Sequence, residues 1–190
     1  MIQRSRESGV CGIAASLRLA CAAMILPVIL SSSGVHAQAA KPADAPQQAA
    51  GQDGKYTDAD GNPTFHQGPD KKWDWQTYSG YIRYNANCIV CHGPDGSGST
   101  YAPALADSLK TMDYQKFTET VVQGKQNVSS SSNLVMPTFG LNKNVMCYID
   151  DVYVYLKARA VGGLGRERPS DHEPKSKSIR DAEDACMGTD

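Results

Sequence analysis

Cys88-Ile89-Val90-Cys91-His92 places two thiols three residues apart with an imidazole directly after the second. On one helical turn this spacing lets two sulfurs add to the two vinyl groups of a porphyrin while the histidine reaches the iron, which is the haem-attachment pattern. Two other chemistries use paired cysteines. A redox dithiol would follow a buried strand and open a helix, whereas 78–87 reads as a helix leading into the motif. A structural zinc site needs a second close ligand pair, and the remaining distal thiols, Cys147 and Cys186, stand 39 residues apart. The motif therefore predicts one covalently attached haem c, with Cys88 and Cys91 holding the porphyrin and His92 on the iron.

The sixth iron position separates electron transfer from ligand chemistry. Met136 is the best-placed candidate, 44 residues after His92 at the end of a polar loop, 123–133, and followed by Pro137. Proline disfavours helix at the preceding residue, so Met136 can project from extended chain. A thioether is a soft ligand that favours ferrous iron and raises the potential. The other readings of this position are a plain core methionine at 136, His66 as ligand, and an open site.

The elements that must position these groups are short helices. Trp75, Tyr78, Tyr81 and Tyr84 recur every three residues and put aromatics on one helical face. Gly80 interrupts that helix at a cost of about 1 kcal/mol against alanine, which a close crossing would justify. The expected partner is 144–160, where Tyr148, Val152, Tyr155, Leu156 and Arg159 keep helical spacing. A middle helix is expected over 113–122 with Tyr114, Phe117, Val121 and Val122 turned inward.

Outside this core the chain changes character. Arg4, Arg6 and Arg18 precede an apolar run at 19–30, and Val35-His36-Ala37 follows, so 1–37 reads as a signal peptide cleaved before Gln38. The run is too short for a spanning helix and contains Pro27. A lipid anchor at Cys21 would need an apolar residue where Arg18 stands. Export predicts a periplasmic location. It removes Arg4, Arg6, Arg18 and Glu7, leaving 16 basic against 19 acidic side chains, a balance without the basic stripe of nucleic-acid binders. Residues 38–54 read as a flexible leader within an extension over 38–72, and 55–75 as short strands joined by turns at Asp60-Gly61-Asn62-Pro63 and Gly68-Pro69-Asp70. Asp58, Asp60 and Asn62 imitate a calcium loop, but Pro69 occupies the position that needs glutamate. Residues 73–161 form the expected haem domain, and 162–190 read as a polar, solvated tail.

Gly80, Tyr84, Cys88, Cys91-His92-Gly93, Asp95-Gly96, Gly98, Pro103-Ala104-Leu105 and Met136-Pro137 together resemble the class I c-type cytochromes. The resemblance implies a mainly α fold in which terminal helices cross beside one haem, here with a short β-hairpin N-terminal extension and a polar C-terminal tail. It implies Cys88, Cys91, His92 and Met136 as attachment and axial residues, and a Pro103 carbonyl that orients the imidazole. A narrower resemblance rests on Asp60-Gly61-Asn62-Pro63-Thr64, Cys91-His92-Gly93-Pro94-Asp95-Gly96, 99–105 and Val145-Met146-Cys147-Tyr148. These stretches are similar to the four-cysteine methanol-metabolism-related c-type cytochromes. That likeness implies a non-enzymatic electron carrier with a periplasmic PQQ-dependent alcohol dehydrogenase as donor and another cytochrome or terminal oxidase as acceptor, without stable membrane insertion. The two extra cysteines of that group correspond to Cys147 and Cys186, an even pair that an oxidising compartment would join; free thiols or a link to a partner are the other readings. Two further function classes stay open: a haem enzyme or gas- or peroxide-binding protein with a displaceable sixth ligand, and a fixed electron-entry subunit of a dehydrogenase complex.

Overall fold

The computed structural model describes residues 51, 54–128 and 133–189. The expected signal peptide and most of the leader lie outside these residues. Seven α-helices, one 3-10 turn and a two-stranded sheet are found among them. The organising contact is between α1 (Trp75–Asn87) and α6 (Ile149–Ala160). Asp74 caps α1 by accepting from the Thr77 amide at 2.8 Å, satisfying one of the orphan donors of the first turn. Gly80 lies where the helices cross. A Cβ on it would stand 1.9 Å from the Asp151 carbonyl oxygen and 2.7 Å from Tyr155 Cβ, so only glycine allows this approach. Tyr84, Val154, Tyr155, Leu156 and Leu109 are fully buried around the crossing.

The expected 144–160 helix is two pieces. Short α5 (Lys143–Met146), capped by the Asn142 side chain, ends at Cys147, and α6 restarts after Tyr148, whose φ and ψ are −130° and 18°. That break turns Val145 and Ile149 towards the same cavity. Helices α2 (Ile89–His92) and α3 (Leu105–Ser108) flank the motif loop. Helix α4 (Tyr114–Gln123) starts at an Asp113 cap and buries Phe117 and Val121, with Tyr114 and Val122 half-buried. Tyr114 and Phe117 pack on Tyr153 of α6 at centroid distances of 5.1 and 5.3 Å.

Two regions depart from expectation. The stretch read as a polar loop forms strands β1 (Lys125–Val128) and β2 (Asn133–Met136), paired antiparallel with Lys125 opposite Met136. Its polar composition hid the pairing, which is started by Gly124 at φ 73°, where a Cβ would meet the Met136 carbonyl at 2.5 Å. The C-terminal stretch is not a solvated tail. Leu164 and Pro169 are buried, and α7 (Lys177–Met187), capped by Ser176, buries Ile179 and Glu183. With Ile179 as its one branched aliphatic residue, α7 carries almost no apolar periodicity for a sequence reading to detect. Two contacts tie it to α5 and its C-terminal end: Cys186 is disulfide-bonded to Cys147, and Lys143 Nζ donates to the Met187 carbonyl at 3.2 Å; Lys175, just before the helix, pairs with Glu183 at 2.5 Å.

The extension turns at both expected places, each closed by a single antiparallel bridge, Thr57 with Pro63 and Gln67 with Trp73. In the first turn the Asp58 carboxylate accepts from the Asp60 and Asn62 amides at 3.0 and 2.9 Å, so its oxygens serve the turn. Trp73 then joins the C-terminal stretch, donating to Asp171 O and accepting from the Glu173 amide.

Candidate functional site

Helix α1 delivers the motif. Cys88 ends it, with its amide on the Tyr84 carbonyl at 2.8 Å, and the chain continues through the single turn of α2 to His92, whose amide donates to Cys88 O at 2.9 Å. This turn brings Cys88, half-buried, and His92, buried, to one apolar cleft, while Cys91 is exposed. Burial, with the neighbouring Cys91 thiol as a smaller cause, pushes the Cys88 thiol up to about 11.

The loop after His92 folds back to hold the ring. Gly93, Gly96 and Gly98 all have positive φ, and the Gly98 amide donates to His92 O at 2.8 Å. The loop returns the Pro103 carbonyl to 3.0 Å from His92 Nδ1. A proton on Nδ1 then donates to Pro103 O, which leaves Nε2 as the ring nitrogen with a free lone pair. Tyr84, fully buried, donates its phenol to Gly93 O at 2.5 Å and accepts from the Gly96 amide at 3.0 Å; burial raises its pKa to about 12. Arg159 Nε donates to Asp95 O at 3.2 Å, and Arg166 Nε pairs with the Asp95 carboxylate at 3.0 Å. The sequence reading placed Tyr84 among the helix-face aromatics and left these loop contacts unseen. A phenol one helical turn before Cys88 was the available signal.

The cleft and the solvent at its mouth together hold about 570 Å³ free of protein atoms. Its walls come from α3, α4, α5, α6 and the segment after β2, and Thr120 is the one polar wall residue besides Cys88 and His92. Met136 lines it from the end of β2, and Met112 lines it too; Met146 packs on the core without lining the cleft. His66 is elsewhere, stacked on Tyr56 at 4.1 Å in the extension. An apolar cleft lined by the Cys88 thiol, an imidazole fixed through Nδ1 and a thioether, with the exposed Cys91 thiol one helical turn from Cys88, fits a covalently attached haem. Among the described residues no cluster of three or more His, Cys, Asp or Glu side chains forms a metal site.

Comparison with known proteins agrees with this geometry. The family described as cytochrome C oxidase, cbb3-type, subunit III, matches residues 76–156. The chain is 39% identical over 90 residues to cytochrome c-555 of Methylococcus capsulatus (strain ATCC 33009 / NCIMB 11132 / Bath), covering 47% of this chain and 67% of that protein. It is 56% identical to the crystallised c-type cytochrome XoxG of Methylobacterium extorquens AM1, with a TM-score of 0.66, over 73% of this chain and 84% of that one. The chain belongs to the c-type cytochromes. It is also 53% identical over 136 residues to cytochrome c-553I of Paracoccus denitrificans, covering 72% of this chain. It spans 60% of the length of that relative. The mainly α architecture around the cleft is that of a class I c-type cytochrome. No helix among the described residues is long and apolar enough to cross a membrane.

Proposed function

We propose that this cytochrome is a periplasmic monohaem carrier that accepts single electrons from a PQQ-dependent alcohol dehydrogenase, in methanol oxidation, and passes them to another cytochrome or a terminal oxidase. The observation that carries the reading is the convergence of Cys88, His92 and Met136 on one apolar cleft. A haem bound there supplies the one-electron ferric/ferrous couple. Cys88 and Cys91 would hold it as thioethers, His92 Nε2 and the Met136 sulfur would ligate its iron, and Pro103 would fix the imidazole. The apolar walls exclude water and so limit reorganisation when the charge changes. With those two ligands the iron would have no open site for substrate chemistry.

The likeness to XoxG and to the methanol-related group supports the choice of donor. Val90, Tyr101, Val135 and Leu141 are large exposed apolar side chains, each within two residues of a site residue or of cleft-lining Phe139. Scattered apolar contacts with a polar rim suit an encounter that must release quickly. The test mixes ferric cytochrome with purified alcohol dehydrogenase. Haem reduction should be fast only with alcohol present, should slow moderately with salt, and should be insensitive to carbon monoxide. A carbon monoxide-sensitive ferrous spectrum would replace this reading with that of an open-site haem protein. Fast reduction by another donor alone would keep the carrier and change its pathway.

A further inference from the structure

Between His92 and Pro103 the chain makes a tight glycine-rich turn whose two ends are tied to one side chain. Tyr84 is fully buried, its phenol donating to Gly93 O at 2.5 Å and accepting from the Gly96 amide at 3.0 Å. Both glycines are themselves buried, with φ of 71° at each. Among the described residues no other side chain bonds these two backbone atoms, and a buried carbonyl or amide stripped of its partner costs free energy. The same turn carries the two contacts that hold His92, the Gly98 amide on its carbonyl at 2.8 Å and Pro103 O on Nδ1 at 3.0 Å.

We infer that the Tyr84 phenol is a positioning residue for His92: it holds the 93–98 turn so that Pro103 O stays on Nδ1, and thereby sets the reduction potential. The inference rests on His92 being the proximal ligand. The causal chain is short. An Nδ1–H donating to a carbonyl makes the imidazole a more basic ligand. A more basic ligand favours ferric iron and lowers the potential. Without the phenol oxygen the turn loses its brace at Gly93 and Gly96, the Pro103 contact weakens, and the ligand becomes less basic. A core aromatic with no such role would leave the potential where it is, because phenylalanine fills the same space.

The test is Tyr84→Phe in the mature holoprotein. The midpoint potential should rise, and exchange of the His92 ring N–H with solvent, followed by NMR, should quicken by about tenfold, the factor that loss of one hydrogen bond carries. A variant with lower thermal stability but unmoved potential and exchange overturns the inference and leaves the electron-carrier reading standing. If Tyr84→Phe does not mature, the wild-type protein decides. The Gly96 amide and the His92 ring N–H should then be protected together, and open-loop exchange at either overturns the proposal. Absence of paramagnetically shifted His92 ring signals in the wild-type ferric protein would instead remove the ligand assignment on which it rests.

Discussion

The cleft and the wrap meet at α5 and are built by opposite means. The cleft is walled mainly by apolar side chains, with Thr120 as the polar exception beside Cys88 and His92. The wrap, formed by 54–74 and 162–189, closes on α1 and α5 through pairings within the chain. His172 stacks on Tyr78 at 3.8 Å, Arg168 Nη2 donates to the Tyr78 phenol at 2.6 Å, and Tyr56 donates to Glu173 at 3.2 Å. The cleft thus offers its apolar walls to a group from outside the polypeptide, whereas the wrap is held by hydrogen bonds, rings and a disulfide. Perturbing the wrap should change stability and spare the potential, and perturbing the cleft should move the potential with a smaller loss of stability.

The largest effect expected on the wrap comes from the bond between Cys147 and Cys186, 39 residues apart. On the chain-entropy model, closing such a loop is worth about 4 kcal/mol. The Cys147→Ser/Cys186→Ser variant should lose that stability in denaturant titrations while its haem spectrum and potential stay near wild type. A displaced potential would mean that α7 holds the cleft wall at Val145 and Ile149, and the division between the regions would fail.

Gly80→Ala attacks both regions at once. The added Cβ meets a backbone carbonyl at 1.9 Å, and backbone on both sides leaves no flexible side chain to yield. The helices must separate, at about 3 kcal/mol, and α6 carries Val152 and Leu156 out of the cleft wall with it. Unlike the disulfide variant, this one should lower the thermal midpoint and broaden the haem spectrum together. Loss of stability alone would show that the cleft tolerates a shifted α6.

This asymmetry also explains what the sequence made legible. Cys88, Cys91, His92, Gly80 and the aromatics of α1 carry their function in residue type and spacing, so the motif, the crossing and the cleft could be read directly. Met136 was reachable because Pro137 constrains it, yet the β1–β2 hairpin that carries it was hidden in a polar run with no alternation to reveal a strand. The wrap was misread for a related reason. The Cys147–Cys186 bond that ties the segment back was expected and is present, but α7 has Ile179 as its one branched aliphatic residue, too little apolar periodicity to reveal a helix.

Met136→Ala tests the cleft alone. Haem should remain covalently attached through Cys88 and Cys91, the iron–thioether absorption of the ferric protein should vanish, and the potential should fall. Removing a half-buried methionine side chain should cost about 2 kcal/mol, less than either change above. Met112 also lines the cleft, so Met112→Ala is the decisive control. Loss of the thioether band in that variant, with the band kept in Met136→Ala, would move the axial ligand to Met112.

The smallest effect should come from Asp151, which sits at the crossing where wrap and cleft meet. It is buried, and its carboxylate accepts from Gln76 Nε2 at 3.2 Å and from Ser79. Burial raises its pKa from 3.8 to about 7; the charges that bear on it are Lys55, which opposes the shift, and Glu183, which adds to it. The sign follows from proton binding. Between 3.8 and about 7 the folded protein holds the proton and the unfolded chain releases it, so raising the pH favours unfolding. Stability from this group is complete below 3.8 and is lost as the pH rises through about 7. Asp151→Asn keeps an acceptor for Gln76 and Ser79 without the ionisation. Its denaturation midpoint should therefore be flatter with pH, and at pH 8 the variant should be more stable than wild type by on the order of 1 kcal/mol. An unchanged slope would assign the pH dependence to another group. A wild-type potential that falls over the same window, and does not fall in Asp151→Asn, would show that a buried charge outside the cleft reaches the iron through Val152, the next residue of α6 and part of the cleft wall.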